Sequence, residues 1–101
     1  MQDYNARQYF LMLEAIDSFY KKTITLSTLK NRINNLVGVL EDIDDHRKAA
    51  FLKQCGILEQ VNATVIDKTF PAIPSQYINV IANATKQIRE LVNEEIEKRG
   101  E

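Results

Sequence analysis

The chain has 101 residues, of which 45% are apolar and 27% are charged, and its formal net charge is -1 with a pI of about 5.8. This composition is typical of one small globular domain, and the near-neutral charge argues against general nucleic-acid binding, which usually needs a basic face. The single cysteine, Cys55, cannot form an internal disulfide. No stretch contains the roughly 18 consecutive apolar residues of a membrane span, and no secretory signal is recognisable. We therefore expect a cytoplasmic protein that neither enters a membrane nor binds nucleic acid.

The first predicted helix covers about residues 3–22. Its apolar residues recur at alternating spacings of three and four, the pattern of a helix with one face in a core. That face comprises Ala6, Tyr9, Leu13, Ile16 and Tyr20, widened by Phe10 and Phe19. Tyr4 and Tyr20 lie near the helix ends, which makes them candidates for contact with a partner.

The second predicted helix covers about residues 26–43 and shows the most regular pattern in the chain. Its apolar face comprises Leu26, Leu29, Ile33, Leu36, Leu40 and Ile43. Thr25 or Ser27 is expected to cap it, because a hydroxyl oxygen can accept from a backbone N–H left free in the first turn.

A change of phase marks the third predicted helix, at about residues 45–67. Continuing the previous face would bury Arg47, whereas the apolar residues restart at Phe51. This shift predicts a turn near Ile43, with Asp44 or Asp45 as the new N-cap. The new face comprises Phe51, Cys55, Leu58 and Val65. Asn62 lies close to it and is expected to form a polar contact with another helix.

Two prolines predict a loop from Thr69 to Pro74, because neither fits a helix interior. The fourth predicted helix covers about residues 74–99, with Pro74 in its first turn. Its apolar face comprises Tyr77, Ile81, Ala84, Ile88 and Leu91. Four such helices joined by short loops predict an all-α fold, a single bundle-like domain of antiparallel helices spanning residues 1–101.

No catalytic, cofactor-binding or metal-binding motif is recognisable. His46 is the only histidine, and a histidine-based triad or zinc site needs partners at spacings that the chain does not offer. Cys55 lies on a predicted core face, where cysteine usually acts as a small hydrophobe. The glycines at 38, 56 and 100 form no phosphate-binding loop. We expect no enzymatic activity, no cofactor and no metal.

An acidic cluster surrounds the predicted turn between helices 2 and 3, beside His46. It consists of Glu41, Asp42, Asp44 and Asp45. One interpretation is a solvated turn with a helix cap. The other is a charged surface for a basic partner, since clustered charge steers association and selects partners. On this second interpretation, these four residues and His46 are the candidate binding site.

Three segments carry a resemblance to a known family. They are Ile24–Leu29, which opens helix 2 after an aromatic-rich first helix, Phe51–Leu52 followed by Ile57–Ala63, and the variable loop before a final helix that starts near Pro74. The order of these features resembles small all-helical bacterial immunity proteins of polymorphic toxins, including those of contact-dependent growth inhibition. The resemblance implies one cognate partner, a C-terminal toxin domain that this chain binds and neutralises in the cytoplasm. Many such toxins are nucleases with basic clefts, which an acidic surface could fill.

Two other interpretations remain open at this stage. One is a small helical adaptor or self-associating structural protein without a toxin partner, which a large apolar patch outside the core would favour. The other is an enzyme or metal carrier, which inward-facing carboxylates with shifted pKa values would favour. The oligomeric state is open between monomer and homodimer.

Overall fold

A computed structural model describes residues 4–65 and 72–99. Its four helices are α1 (Tyr4–Tyr20), α2 (Leu26–Gly38), α3 (Asp45–Val65) and α4 (Ser75–Arg99). Each helix packs against the next along the chain, and α1 also packs against α4. The predicted all-α, bundle-like single domain is confirmed. Among the described helices, none is long and apolar enough to cross a membrane.

Contacts between the helices show that neighbours run antiparallel. The side chain of Asn5, at the start of α1, bonds to the backbone of Glu41, just beyond the end of α2. Arg47, at the start of α3, pairs with Glu94 near the end of α4. The Tyr20 hydroxyl, at the end of α1, lies 2.9 Å from Thr85 Oγ1 in α4.

The core lies between the four helices, and its centre is aromatic and aliphatic. The rings of Tyr9 and Phe51 stack with centroids 6.0 Å apart, which joins α1 to α3. The largest fully buried side chains also include Phe19, Met12, Ile16, Leu26, Leu29, Ile33, Leu58, Ile81 and Ile88.

The inward face of α1 is rotated relative to the predicted one. Tyr9, Ile16 and Phe19 are buried as expected, but Phe10 is 58% exposed. The remaining inward positions are filled by Asn5, Gln8, Met12 and Ala15. Apolar residues occur on both sides of this helix, so spacing alone did not single out the buried side.

The α2 helix ends at Gly38, five residues before the predicted end at Ile43. The N–H groups of Val39 and Leu40 donate to carbonyls only three residues back, each at 3.3 Å, which tightens and closes the last turn. Glycine and β-branched valine favour helices poorly, which accounts for the early stop. Leu40 is still buried, so its predicted inward position is right although its backbone is not helical.

The predicted faces of α3 and α4 agree well with the observed burial. Phe51, Cys55, Leu58 and Val65 are all buried, as are Ile81, Ala84 and Ile88. The α4 helix begins at Ser75, and the Pro74 carbonyl accepts from the Ile78 N–H at 3.1 Å. The predicted end of helix 3 at Asp67 and the first half of the predicted loop, residues 69–71, lie outside the described residues.

Candidate functional site

The candidate binding site forms an exposed loop at one end of the bundle. All of its predicted members are exposed: Glu41, Asp42, Asp44, Asp45 and His46. They lie in the α2–α3 connection and the first turn of α3. We call residues 41–46 the acidic loop.

Asn5 holds the acidic loop against α1. The Glu41 N–H donates to Asn5 Oδ1 at 2.9 Å, and Asn5 Nδ2 donates to the Glu41 carbonyl. The side-chain amide of Asn5 thus bonds both the N–H and the carbonyl of Glu41, 36 positions away, as a neighbouring β-strand would. Asn5 itself is only 4% exposed. This double hydrogen bond fixes the loop backbone while the Glu41 side chain remains in solvent.

Two aspartates shape the rest of the acidic loop. Asp42 adopts a φ of 52°, in the left-handed region that aspartate tolerates better than most residues. Asp44 is the N-cap of α3, and its Oδ1 accepts from the His46 N–H at 3.0 Å. The prediction that Asp44 or Asp45 caps this helix is confirmed for Asp44. The negative charge there also complements the positive end of the helix dipole.

Arg47, the basic residue that directly follows the acidic loop in sequence, is engaged by α4 and does not neutralise the loop. Its guanidinium bonds to Glu94 at 2.6 Å and to Glu95 at 3.0 Å. The hydrogen bond with Glu94 raises the pKa of Arg47, and the charges of both glutamates add to this effect. Glu95 is almost fully buried and also accepts from Lys98 at 3.1 Å. Across residues 4–65 and 72–98, no cation forms an ion pair with the four carboxylates of the acidic loop.

Groups capable of covalent or metal chemistry do not converge in the part of the chain that the structure describes. Cys55 is buried, and desolvation together with the nearby charge of Glu59 raises the pKa of its thiol to about 11. At neutral pH this thiol is protonated, and hence a poor nucleophile. No group of three histidine, cysteine, aspartate or glutamate residues there is placed to hold a metal ion.

The structure gives Asn62 and Tyr20 contacts that differ from the predicted ones. Asn62 Oδ1 is buried but has no hydrogen-bond partner among the described residues, so the expected contact to a neighbouring helix is not formed there. The inter-element amide contact is made by Asn5 instead. Tyr20 is not a free interface residue, because its hydroxyl pairs with Thr85 and its ring lies 5.6 Å below the Arg89 guanidinium.

A second surface feature, on the outer side of α1 and α2, was missed by the sequence analysis. It is an open groove of about 400 Å³ lined by Leu11, Glu14, Arg32, Asn35 and Leu36. Leu11, on the α1 side of this feature, is 41% exposed. The signal that could have found it is the surplus of apolar residues in α1, which exceeds what one inward face can bury.

The chain matches no protein-family model, no curated protein and no solved structure.

Proposed function

We propose that this chain is an immunity protein that binds and neutralises a cognate toxin domain in the cytoplasm. The observation that carries the proposal is the acidic loop, where four carboxylates stand exposed and unpaired with the described cations on a backbone fixed by Asn5. The resemblance in sequence supplies the toxin as the kind of partner. The loop supplies a surface of matching chemistry for a basic cleft.

The fixed backbone of the acidic loop favours tight association. A loop that is already ordered loses little conformational freedom on binding, so more of the contact energy appears as affinity. Because Arg47 is turned toward α4, the loop presents its negative charge to an approaching partner. Clustered charge of one sign speeds the encounter with a cluster of the opposite sign. If the toxin is a nuclease, the carboxylates would occupy positions that phosphates take in its substrate.

Co-expression with the product of the neighbouring gene tests this function. The C-terminal domain of a large neighbouring protein should arrest growth when expressed alone, and co-expression of this chain should restore growth. The two proteins should purify as a one-to-one complex. A neighbouring domain that is harmless, or that is toxic and neither binds this chain nor is neutralised by it, would contradict the proposal.

The exposed apolar side chains of α1 favour a second candidate function, a small helical adaptor or self-associating protein. Phe10 is 58% exposed and Leu11 is 41% exposed on consecutive positions of one helix. Large exposed hydrophobic residues can contribute to a contact surface between proteins where they join a contiguous apolar patch. Purification of the chain alone as a stable oligomer, with no toxic neighbour, would favour this candidate over the first.

A further inference from the structure

The groove between α1 and α2 has opposite charges on its two walls. Glu14 stands on the α1 wall and Arg32 on the α2 wall, with Leu11 and Leu36 beside them. Both charged residues are exposed. Neither forms an ion pair with another residue of the described segments. The groove therefore offers an apolar strip flanked by one unpaired carboxylate and one unpaired guanidinium.

The two walls are aligned residue by residue because α1 and α2 run antiparallel. The hydrogen-bonded pair Asn5 and Glu41 fixes the register at one end. Glu14 and Arg32 line one pocket, so their two charges lie at a similar level along the groove.

We propose that this groove is a self-association surface, on which a second copy of the chain docks face to face about a two-fold axis that runs along the groove. Such an axis keeps each residue at its own level and exchanges the two walls. The α1 helix of one copy then lies over α2 of the other. Glu14 meets the partner's Arg32, and Arg32 meets the partner's Glu14, so the complementary contact occurs twice.

The same axis also covers the apolar residues of the groove. Leu11 lies about one turn before Glu14, and Leu36 lies about one turn after Arg32. In antiparallel helices these positions share a level, so Leu11 comes to lie over the partner's Leu36. Burial of apolar area in the middle with charge pairs beside it is the usual arrangement of a protein interface.

A two-fold axis across the groove is disfavoured by the same charges. Such an axis at the level of the two charges would place α1 over the partner's α1, and each Glu14 near the partner's Glu14. Like charges brought face to face oppose association. Charge complementarity thus selects a second copy in one orientation, which also brings both acidic loops to the same end of the dimer.

The dimer is expected to be weak and dependent on concentration. Two short helices offer an interface at the low end of the size range, where association is typically transient. This inference concerns self-association alone, so it holds or fails independently of any toxin partner. A dimer found without a toxin, or a toxin complex found without a dimer, separates the two proposals.

Sedimentation velocity of the full chain, at concentrations from about 1 to 500 μM, tests the proposal with charge-exchange variants. Glu14→Arg and Arg32→Glu should each weaken dimerisation by about tenfold or more, because symmetry repeats each repulsion twice. The double variant Glu14→Arg/Arg32→Glu should restore it to within about threefold of the original chain. Circular dichroism melts of every variant check that the fold is intact.

A pair of matched substitutions tests the apolar part of the surface. Leu11 and Val80 are equally exposed, at 41% each, but Val80 lies on α4, away from the groove. Leu11→Asp should abolish the dimer and Val80→Asp should leave it unchanged. A chain that stays monomeric up to about 500 μM would overturn the proposal. It would also be overturned by a dimer that survives Leu11→Asp, or by a double charge exchange that fails to restore association.

Discussion

The two connections at either end of α2 close in different ways. The α1–α2 connection uses only its neighbours: Lys22 N–H donates to the Phe19 carbonyl and Thr23 N–H to the Ser18 carbonyl, each at 3.0 Å. These two bonds form a Schellman motif, which satisfies the last carbonyls of a helix. Thr25 then caps α2 by accepting from the Thr28 N–H at 3.3 Å, which confirms one of the two predicted caps.

The α2–α3 connection depends on a distant residue. Asp44 caps α3 locally, but the backbone of Glu41 is held by Asn5 from the start of α1. A connection closed by its own residues needs no other part of the fold, whereas the acidic loop has its observed shape only when α1 is packed in place. The comparison teaches that the candidate binding surface is organised by tertiary structure.

Among the substitutions that test this difference between the two connections, Asn5→Ala should change the free energy of unfolding most. The substitution removes both hydrogen bonds to Glu41, and the free energy of unfolding should fall by about 1–2 kcal/mol. Urea denaturation measures that loss. Hydrogen exchange should show the Glu41 amide losing protection while amides in the middle of α2 keep theirs.

Asn34→Ala serves as the matched control, because Asn34 is exposed on α2. The free energy of unfolding of this variant should stay within about 0.5 kcal/mol of the original. Asn5→Ala could lower the free energy of unfolding no more than the control does, or leave the Glu41 amide protected from exchange. Either result would mean that Asn5 does not hold the acidic loop, and that the two connections do not differ in this way.

A smaller effect of opposite sign is expected from Lys22→Gly. Lys22 adopts a φ of 69°, in the left-handed region where a side chain is strained and glycine is not. Relief of this strain, less the entropy that glycine adds to the unfolded chain, should raise the free energy of unfolding by roughly 0.5–1 kcal/mol. Thermal and urea denaturation both report the gain.

Asp42→Gly is the equivalent substitution in the α2–α3 connection. Asp42 has a φ of 52°, but aspartate tolerates this conformation better than lysine. Its gain in stability should therefore be smaller than that of Lys22→Gly. An equal or larger gain at Asp42 would mean that backbone strain in the two connections does not follow residue type.

The sequence predicts most strongly the features that depend on near neighbours. Helix number, the faces of α3 and α4, and the Thr25 and Asp44 caps follow from periodicity and from residues within one turn. The predicted face of α1 was partly wrong because Ala6, Phe10 and Leu13 offer an apolar alternative to Met12 and Ala15. The end of α2 was placed too late because the periodic spacing continues to Ile43 after the helix has stopped.

In the candidate site, too, some features follow from near neighbours in the sequence and others depend on distant residues. The acidic residues and their exposure follow from local charge and from the turn in which they lie. The role of Asn5 could not be predicted, because its partner is a backbone group 36 residues away. For the groove between α1 and α2, the surplus of apolar residues in α1 was a signal, but its position also depends on how the two helices are aligned side by side.

Association kinetics of matched charge-reversal variants with the cognate toxin domain test the central claim most directly. Glu41→Lys combined with Asp45→Lys reverses two charges of the acidic loop and spares both the Asp44 cap and the left-handed Asp42. Glu90→Lys combined with Glu97→Lys makes the same charge change at exposed positions of α4. The loop variant should associate several-fold more slowly and with a weaker dependence on salt, and the α4 variant should behave like the original chain. Equal rates for the two variants would contradict the assignment of the acidic loop as the binding surface.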